Sequence, residues 1–279
     1  MKKIGFVDYY ISEWHANNYT AWIKETCEKS GLNYTVSYVW AEKDISPVDG
    51  KSTDEWCKEF GVEKCESIEK LCEKSDVILV LAPSNPEMHL RYAEKVLPFG
   101  KRTYIDKTFA PDVATSDKIF ELAEKYHTPF FSSSALRYAS ELDALIGSDK
   151  VITTGGGHEF EEYIIHQIEP TVKVLQSRAK SVQVQTQGKQ VISKVEFEDG
   201  KEATMLQAQA MPFTMCVEKN GESEYAVIKS DYFRDLLADI LRFFESGIVS
   251  FDIAETREVM RIREALIKAK SCDGKKIVL

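Results

Sequence analysis

Short apolar segments alternate with amphipathic segments along the first half of the chain. The apolar, β-branched and aromatic runs predict strands at 4–7, 34–40, 77–81, 102–105 and 129–131. Side chains that recur with helical spacing predict helices between them, at 17–29, 54–60, 67–72, 86–97 and 112–126. This alternation predicts an α/β fold, with a Rossmann-type doubly wound parallel sheet and right-handed crossovers.

The second half has a different pattern, in which strands follow one another without intervening helices. A Gly155-Gly156-Gly157 turn precedes a predicted helix at 159–176, and Asp199-Gly200 and Asn220-Gly221 are typical hairpin turns. Five further strands are predicted at 182–186, 191–197, 203–207, 213–217 and 225–228. Two helices, at 231–245 and 253–270, precede a last strand at 276–279. The pattern predicts an α+β domain with a mainly antiparallel sheet.

The boundary between the two patterns lies at the three serines 132–134. We therefore predict a nucleotide-binding domain of Rossmann type at 1–131 and a substrate and oligomerisation domain at 132–279.

Composition excludes several classes of partner. The net charge of −9 argues against non-specific binding of nucleic acid, which needs a basic surface. No apolar run approaches the ~20 residues that span a bilayer, and the first residues are too soon polar for a secretory signal. The six cysteines show no CxxC spacing, so neither a zinc site nor a disulfide framework is indicated. A reducing cytoplasm is the expected compartment.

The predicted parallel sheet indicates where a ligand binds. Ligands of such sheets lie outside the carboxyl ends of the strands. The segments in that position are 8–15, 83–86, 106–108 and 132–137. Among them, the serines 132–134 lack the G-x-S-x-G pattern of a nucleophile elbow, so a hydrolase is not indicated.

Lys107 directly follows a predicted strand and lies between Asp106 and Thr108. Desolvation at a strand end lowers the pKa of a lysine and allows it to act as an acid or a base. The alternative is a lysine of the sheet edge that is simply paired with Asp106.

His166 lies on a predicted helix, with Glu162 one turn before it and Glu169 nearly one turn after it. A carboxylate beside an imidazole suits general acid–base catalysis, because it orients the ring and raises its basicity. The alternatives are a solvated helix face, or a metal site in a lyase or isomerase to which Glu162 and His166 contribute.

Three segments, in this order and spacing, resemble the Gfo/Idh/MocA family of glucose-fructose oxidoreductase and inositol dehydrogenase relatives. The segment 82–89 is similar to the His-containing stretch of its first domain. Gly100 to Thr108 is similar to its Gly-Lys-x-x-x-x-Glu-Lys-Pro motif, with Asp106 in place of Glu and Thr108 in place of Pro. Glu162 to Glu169 is similar to its Asp-x-x-x-His-x-x-Asp motif, with glutamate in place of both aspartates. The resemblance extends over nearly the whole chain.

The resemblance implies hydride exchange between NAD or NADP and a carbinol carbon of a sugar or polyol. It implies three groups of site residues. The catalytic residues are Lys107, His166, Glu162 and Asp106. The cofactor-binding residues are Asp8, Tyr10, Ile11, Glu42, Pro83, Ser84, Asn85 and His89. The substrate-binding residues are Arg137, Tyr138, His158 and Glu169. It also implies a homodimer or homotetramer, associated through the flat sheet of the second domain.

One departure from the family lies in the loop after the first strand. The G-x-G-x-x-G pattern, which admits a pyrophosphate to a helix N-terminus, is replaced by Asp8-Tyr9-Tyr10-Ile11-Ser12-Glu13. Two acidic side chains and two tyrosines at this position disfavour conventional dinucleotide binding. The sequence therefore leaves a second interpretation open, a non-catalytic relative that binds a sugar ligand and has lost the dinucleotide site.

Overall fold

The computed structural model describes residues 1–272 and 274–279, which form two compact units. The first unit comprises Met1–Ser133 and Leu236–Ile253, and the second comprises Ser134–Asp235 and Ala254–Leu279. In the part of the chain that the structure describes, no helix has both the length and the apolar character needed to cross a membrane.

The first unit contains a sheet of six parallel strands. In chain order these are β1 Lys2–Asp8, β2 Tyr34–Ala41, β3 Glu63–Lys64, β4 Val77–Val80, β5 Thr103–Ile105 and β6 Phe130–Phe131. Their spatial order is β3-β2-β1-β4-β5-β6, the order of a doubly wound dinucleotide-binding sheet. The predicted fold class is confirmed. The sequence pattern does not reveal β3, because its two residues are exposed and carry no apolar signal.

Local signals explain the limits of the helices in this unit. These helices are α1 Trp14–Ser30, α2 Thr53–Phe60, α3 Ile68–Lys74, α4 His89–Val96 and α5 Val113–Lys125. Ser52 and Glu55 form a capping box at α2, and the side chain of Asp112 caps α5. Glycine fits at Gly5 in β1 because a Cβ atom there would lie 2.4 Å from Cδ2 of Leu71, so its absence lets α3 pack closely on the strand.

The second unit contains a seven-stranded sheet. Its strands are β7 Lys150–Gly155, β8 Ala179–Gln187, β9 Gln190–Phe197, β10 Glu202–Gln207, β11 Thr214–Lys219, β12 Glu222–Val227 and β13 Ile277–Val278. The order is β12-β11-β7-β10-β9-β8-β13, and only the β7–β10 pair is parallel. The β11–β12 hairpin turns at Asn220 and Gly221, whose φ angles of 54° and 80° suit a type I′ turn. The mainly antiparallel sheet is confirmed, although the sequence pattern did not reveal β7.

Four further α-helices follow in the described part of the chain. They are α6 Phe160–Tyr163, α7 Ile165–Leu175, α8 Tyr232–Ser246 and α9 Ala254–Lys270. The single helix predicted at 159–176 is thus divided at Ile164 into α6 and α7. Buried side chains of α7, α9 and the sheet form the core of the second unit, where Ile168, Val172 and Leu266 are at most 2% exposed.

Candidate functional site

In the first unit, polar residues stand at the carboxyl ends of β1 and β5, the two strands on either side of β4. Asp8 ends β1, and Asp106 and Lys107 directly follow β5. The backbone N–H of Asp106 donates to the carbonyl oxygen of Val80 in β4 at 2.9 Å, which extends the ladder to the end of the sheet. These residues therefore lie at the edge where such sheets bind ligands.

Asp106 is buried and is the acceptor at the centre of a hydrogen-bond network. Its Oδ1 atom accepts from the backbone N–H of Lys107 at 2.8 Å and from the Tyr104 hydroxyl at 3.2 Å, while Oδ2 contacts Nδ1 of His15. Burial alone would raise the pKa of Asp106. The charge and hydrogen bond of His15, followed by the charge of Lys107, outweigh burial and lower the pKa, so the carboxylate is ionised.

Lys107 is half-buried, and its Nζ atom lies 3.4 Å from the carbonyl oxygen of Pro83 in the loop after β4. Its backbone is fixed by the bond to Asp106, and its peptide bond to Thr108 is cis. Lys107 thus presents its ammonium group at the edge of the sheet, beside the loop after β4. It can donate a hydrogen bond or a proton to an oxygen of a bound ligand.

The loop between β1 and α1 carries two buried carboxyl groups. Glu13 caps α1, and its side chain accepts from the backbone N–H of His15 at 2.7 Å and from that of Ala16. Asp8 Oδ1 accepts from the N–H groups of Tyr9 and Ala82. Burial, and then the charge of Glu13, raise the pKa of Asp8 well above its usual range. Burial also raises the pKa of Glu13.

The other two residues that the sequence assigned to cofactor binding in this loop differ in exposure. Tyr10 is half-buried, with its ring 6.0 Å from that of Tyr9. The side chain of Ile11 is 1% exposed and belongs to the core, so only the backbone of Ile11 is available to a ligand.

Glu42 directly follows β2. Its Oε1 atom accepts from Nη1 of Arg91 at 3.0 Å, and its Oε2 atom is buried without a hydrogen-bond partner among the described residues. An acidic side chain at this position of a Rossmann sheet accepts the hydroxyls of the adenosine ribose. Glu42 therefore fits the ribose of NAD. The N-terminus of α1 does not fit the pyrophosphate, because Glu13 already accepts from its backbone N–H groups.

The loop after β4 is held by His89, which is fully buried. Its Nε2 atom lies 2.7 Å from the carbonyl oxygen of Leu81, and its Nδ1 atom lies 3.0 Å from that of Phe109. Burial lowers the pKa of His89. Because each ring nitrogen contacts a backbone oxygen, His89 connects the loop after β4 with the loop after β5. Its contact with a cofactor stays a prediction.

The same loop presents two polar side chains that the sequence assigned to the cofactor. Ser84 is exposed, and Asn85 is half-buried and donates to Glu87 at 2.9 Å. Just before them, Ala82 has a φ of 59°, a left-handed conformation that is uncommon for a residue with a side chain. The loop is thus held in a specific shape beside Asp8 and Lys107.

In the second unit, His166 is oriented by a serine. Nδ1 of His166 lies 2.7 Å from Oγ of Ser134, and the backbone N–H of Ser134 donates to Oε1 of Glu169 at 3.1 Å. The rings of Tyr163 and Phe213 lie 5.8 and 5.9 Å from the imidazole. A hydrogen bond at Nδ1 fixes the ring and assigns Nε2 as its other exchangeable position.

Arg137 is buried between two carboxylates. Its Nη2 atom lies 2.5 Å from Oε2 of Glu255, and its Nη1 atom lies 3.7 Å from Oε2 of Glu169. Glu169 thus connects Arg137 to Ser134 and so to His166. Arginine suits this position because its planar, permanently charged group can bind two carboxylates at once.

The remaining residues assigned from the sequence have separate positions in this unit. Glu162 lies on α6, before the division at Ile164, and His166 lies on α7. His158 is exposed, with Nδ1 3.0 Å from the Gln209 amide nitrogen, and Tyr138 is half-buried at the end of a short 3-10 helix. Their roles stay predictions.

Three of the residues that build these networks had no assigned role in the sequence. His15 and Ser134 lie within segments selected only for their position after a strand, and Glu255 carried no signal at all. Glu255 is 118 residues from Arg137 along the chain, and only the tertiary structure brings α9 beside it. Among residues 1–272 and 274–279, no group of three or more His, Cys, Asp or Glu side chains could hold a metal ion.

A model of the Gfo/Idh/MocA oxidoreductase family, described as an NAD-binding Rossmann fold, matches residues 43–133. The predicted family resemblance is confirmed over this segment. No curated protein matches the sequence.

Solved dehydrogenase structures share the fold over nearly the whole chain. Myo-inositol dehydrogenase from Lactobacillus casei, in complex with NAD(H) and myo-inositol, has a TM-score of 0.80 at 10% identity, covering 100% of this chain and 96% of that one. Scyllo-inositol dehydrogenase from the same organism, with bound NAD(H) and scyllo-inositol, has a TM-score of 0.77 at 12% identity, covering 99% and 98%. UDP-N-acetylglucosamine 3-dehydrogenase from Acidithiobacillus ferrooxidans has a TM-score of 0.75 at 12% identity, covering 97% and 98%.

Proposed function

On the premise that residues 43–133 carry the NAD-binding Rossmann fold of the Gfo/Idh/MocA oxidoreductase family, we propose that the chain is an NAD-dependent oxidoreductase of a sugar or polyol. The main support for this proposal is the position of Lys107. This residue lies in the matched segment and presents its ammonium group at the carboxyl end of β5. The cofactor would accept or supply the hydride.

The chain's own residues would manage the proton and the substrate oxygen. Lys107 or His166 is the proposed proton partner of the reacting hydroxyl. Asp106, ionised and fixed by His15 and Tyr104, holds the backbone of Lys107 in place. Arg137 and Glu169 position Ser134 and thereby His166.

The choice of NAD over NADP is supported by Glu42. Its Oε2 atom has no hydrogen-bond partner among the described residues, which suits a ribose hydroxyl, and its charge repels the additional phosphate of NADP. Arg91, which could otherwise bind that phosphate, pairs with Glu42 at 3.0 Å.

The substrate class is supported by the solved neighbours, two of which are described with an inositol and NAD(H). The test is to mix the protein with NAD⁺ and a panel of inositols and sugars and to follow the formation of NADH. We expect turnover with at least one polyol and a slower reaction with NADP⁺. The absence of NADH formation with every member of the panel would contradict the proposal.

A second candidate function is a sugar-binding protein without redox activity. The occupation of the α1 N-terminus by Glu13 favours it, because a dinucleotide loses its usual anchor there. It predicts that a polyol raises the melting temperature without any cofactor, since a ligand that binds only the folded state stabilises it. NADH formation would refute it.

Self-association through the second sheet is supported by one exposed face. Ile152 in β7, Cys216 in β11 and Tyr225 in β12 are aligned across adjacent strands, and Ile152 and Tyr225 are 57% and 65% exposed. Large apolar side chains on one exposed face are typical of a protein interface. We propose a homodimer or homotetramer, to be tested by sedimentation. The cytoplasmic location stays a prediction.

A further inference from the structure

The N-terminus of α1 is the position at which Rossmann domains bind the pyrophosphate of a dinucleotide. A helix N-terminus suits an anion because its first backbone N–H groups have no partner within the helix and the helix dipole is positive there. In this chain the Glu13 carboxylate accepts from two of these groups, the N–H of His15 and that of Ala16. Glu13 is 5% exposed, so the contact is protected from water.

A second acidic group, Asp8, disfavours a further anion beside Glu13. Asp8 is 1% exposed, and its Oδ2 atom makes no hydrogen bond with any described residue. The charges of Glu13 and Asp106 both act on Asp8. The Tyr19 hydroxyl, also fully buried and without a partner among the described residues, experiences the charges of the same two carboxylates. A pyrophosphate here would add negative charge to a loop that already contains an excess of it.

We propose that Glu13 is a resident anion that occupies the pyrophosphate position and selects against ligands with a diphosphate. The carboxylate satisfies the backbone N–H groups that a dinucleotide would otherwise use. The chain then binds NAD(H) without support from α1 and therefore weakly. The inference rests on the proposed function only in taking this edge of the sheet as the cofactor site.

The test compares two variants with a control of equal charge change. Glu13→Ser places a good capping residue at the N-terminus of α1, and Glu13→Gln keeps the side-chain length. Glu28→Gln removes one negative charge from the exposed end of the same helix and leaves the N-terminus unchanged. Binding of NADH is measured by its fluorescence, and binding of ADP and adenosine by calorimetry. Thermal unfolding verifies that each variant is folded.

We expect Glu13→Ser to bind NADH and ADP at least about tenfold more tightly than the unmodified chain, because one repulsive charge is lost at the N-terminus of α1. Adenosine affinity should not change, and Glu28→Gln should behave as the unmodified chain. The proposal is overturned if the affinity for ADP does not increase in either Glu13 variant, or if adenosine affinity increases equally. Tight NADH binding by Glu13→Ser without hydride transfer in any form of the chain would support this inference and contradict the proposed function.

Discussion

The hydroxyl oxygen of Ser134 lies 2.7 Å from Nδ1 of His166. The backbone N–H of the same serine donates to Glu169, which also faces Arg137. Ser134 is fully buried, so water does not compete with its hydroxyl for the hydrogen bond to the imidazole. The position of the histidine is thus determined by a serine and a carboxylate from separate parts of the second unit.

Replacing Ser134 with Ala should lower kcat about 10-fold to 100-fold, the size of effect known for groups that orient a metal-binding histidine. KM should change less, because Ser134 acts through His166 and not on the substrate. The acidic limb of the pH–rate profile should shift as the imidazole loses its partner. Ser134→Thr, which keeps the hydroxyl, should restore kcat and the pH–rate profile. Ser140→Ala, at an exposed position in the same unit, is the control. An unchanged pH profile in Ser134→Ala would argue against this role.

Replacing Lys107 with Met should lower kcat/KM by about 100-fold to 10,000-fold, the range for loss of a general acid or base. The fold should be preserved, because among the described residues the Nζ atom makes only one hydrogen bond, to a backbone oxygen at 3.4 Å. Circular dichroism and the melting temperature report whether the variant is folded, and NADH formation measures its activity. Lys118→Ala, on the exposed face of α5, should leave the rate unchanged. Retained activity in Lys107→Met would transfer the proton role to His166.

The sequence predicts most of the fold because both sheets carry strong local signals. The buried strand β4 and the helices with polar caps are recognisable from residue order alone. The sequence pattern does not reveal the strands Glu63–Lys64 and Lys150–Gly155, because the first is exposed and the second alternates with polar residues. The parallel β7–β10 pair is equally hidden, since strand direction depends on which strands meet and not on their composition.

The candidate site is only partly visible in the sequence. Lys107 and His166 were recognised by motif and position, whereas the partners that orient them come from distant segments. His15 contacts Asp106 from a position 91 residues away, and Ser134 contacts His166 from 32 residues away. The acidic loop was apparent as a sequence departure. Its capping contact with α1 was not, because a capping carboxylate and a loop carboxylate look alike in a sequence.

Asp8 should make the chain less stable at neutral pH. Its folded-state pKa is raised by burial and then by the charge of Glu13. For an acid with a raised pKa, the stability that the protonated form contributes is complete below the unfolded pKa of about 3.9 and is lost as the pH rises through the folded pKa. Asp8→Asn removes this loss and keeps an oxygen that can accept from Tyr9 and Ala82.

We therefore expect Asp8→Asn to raise the free energy of unfolding by at least about 1 kcal/mol at about pH 8, and to have little effect at about pH 4. Urea denaturation at both pH values measures this difference. Asp117→Asn, at a half-buried position on α5, is the comparison for a carboxyl group outside the loop. Equal effects of Asp8→Asn at the two pH values would show that the carboxyl group does not titrate differently in the folded chain.

Arg137 should be among the most sensitive positions of the second unit. It is 6% exposed and lies between Glu169 and Glu255 at 3.7 and 2.5 Å. Replacing it with Met fills similar space but leaves a buried carboxylate, Glu169, without its cation. Removing one partner of a buried ion pair typically costs about 3–5 kcal/mol. We expect urea denaturation of Arg137→Met to show a loss of this size.

The double variant Arg137→Met with Glu169→Gln identifies the cause of that loss. If the unpaired charge is responsible, neutralising Glu169 should recover part of the stability, because the glutamine oxygen can still accept from the backbone N–H of Ser134. If the loss comes from packing, the second substitution should add its own cost instead. Pairing Arg137→Met with Glu255→Gln provides the matched comparison, and it should recover less, because the Glu255 side chain is 26% exposed and water already screens its charge.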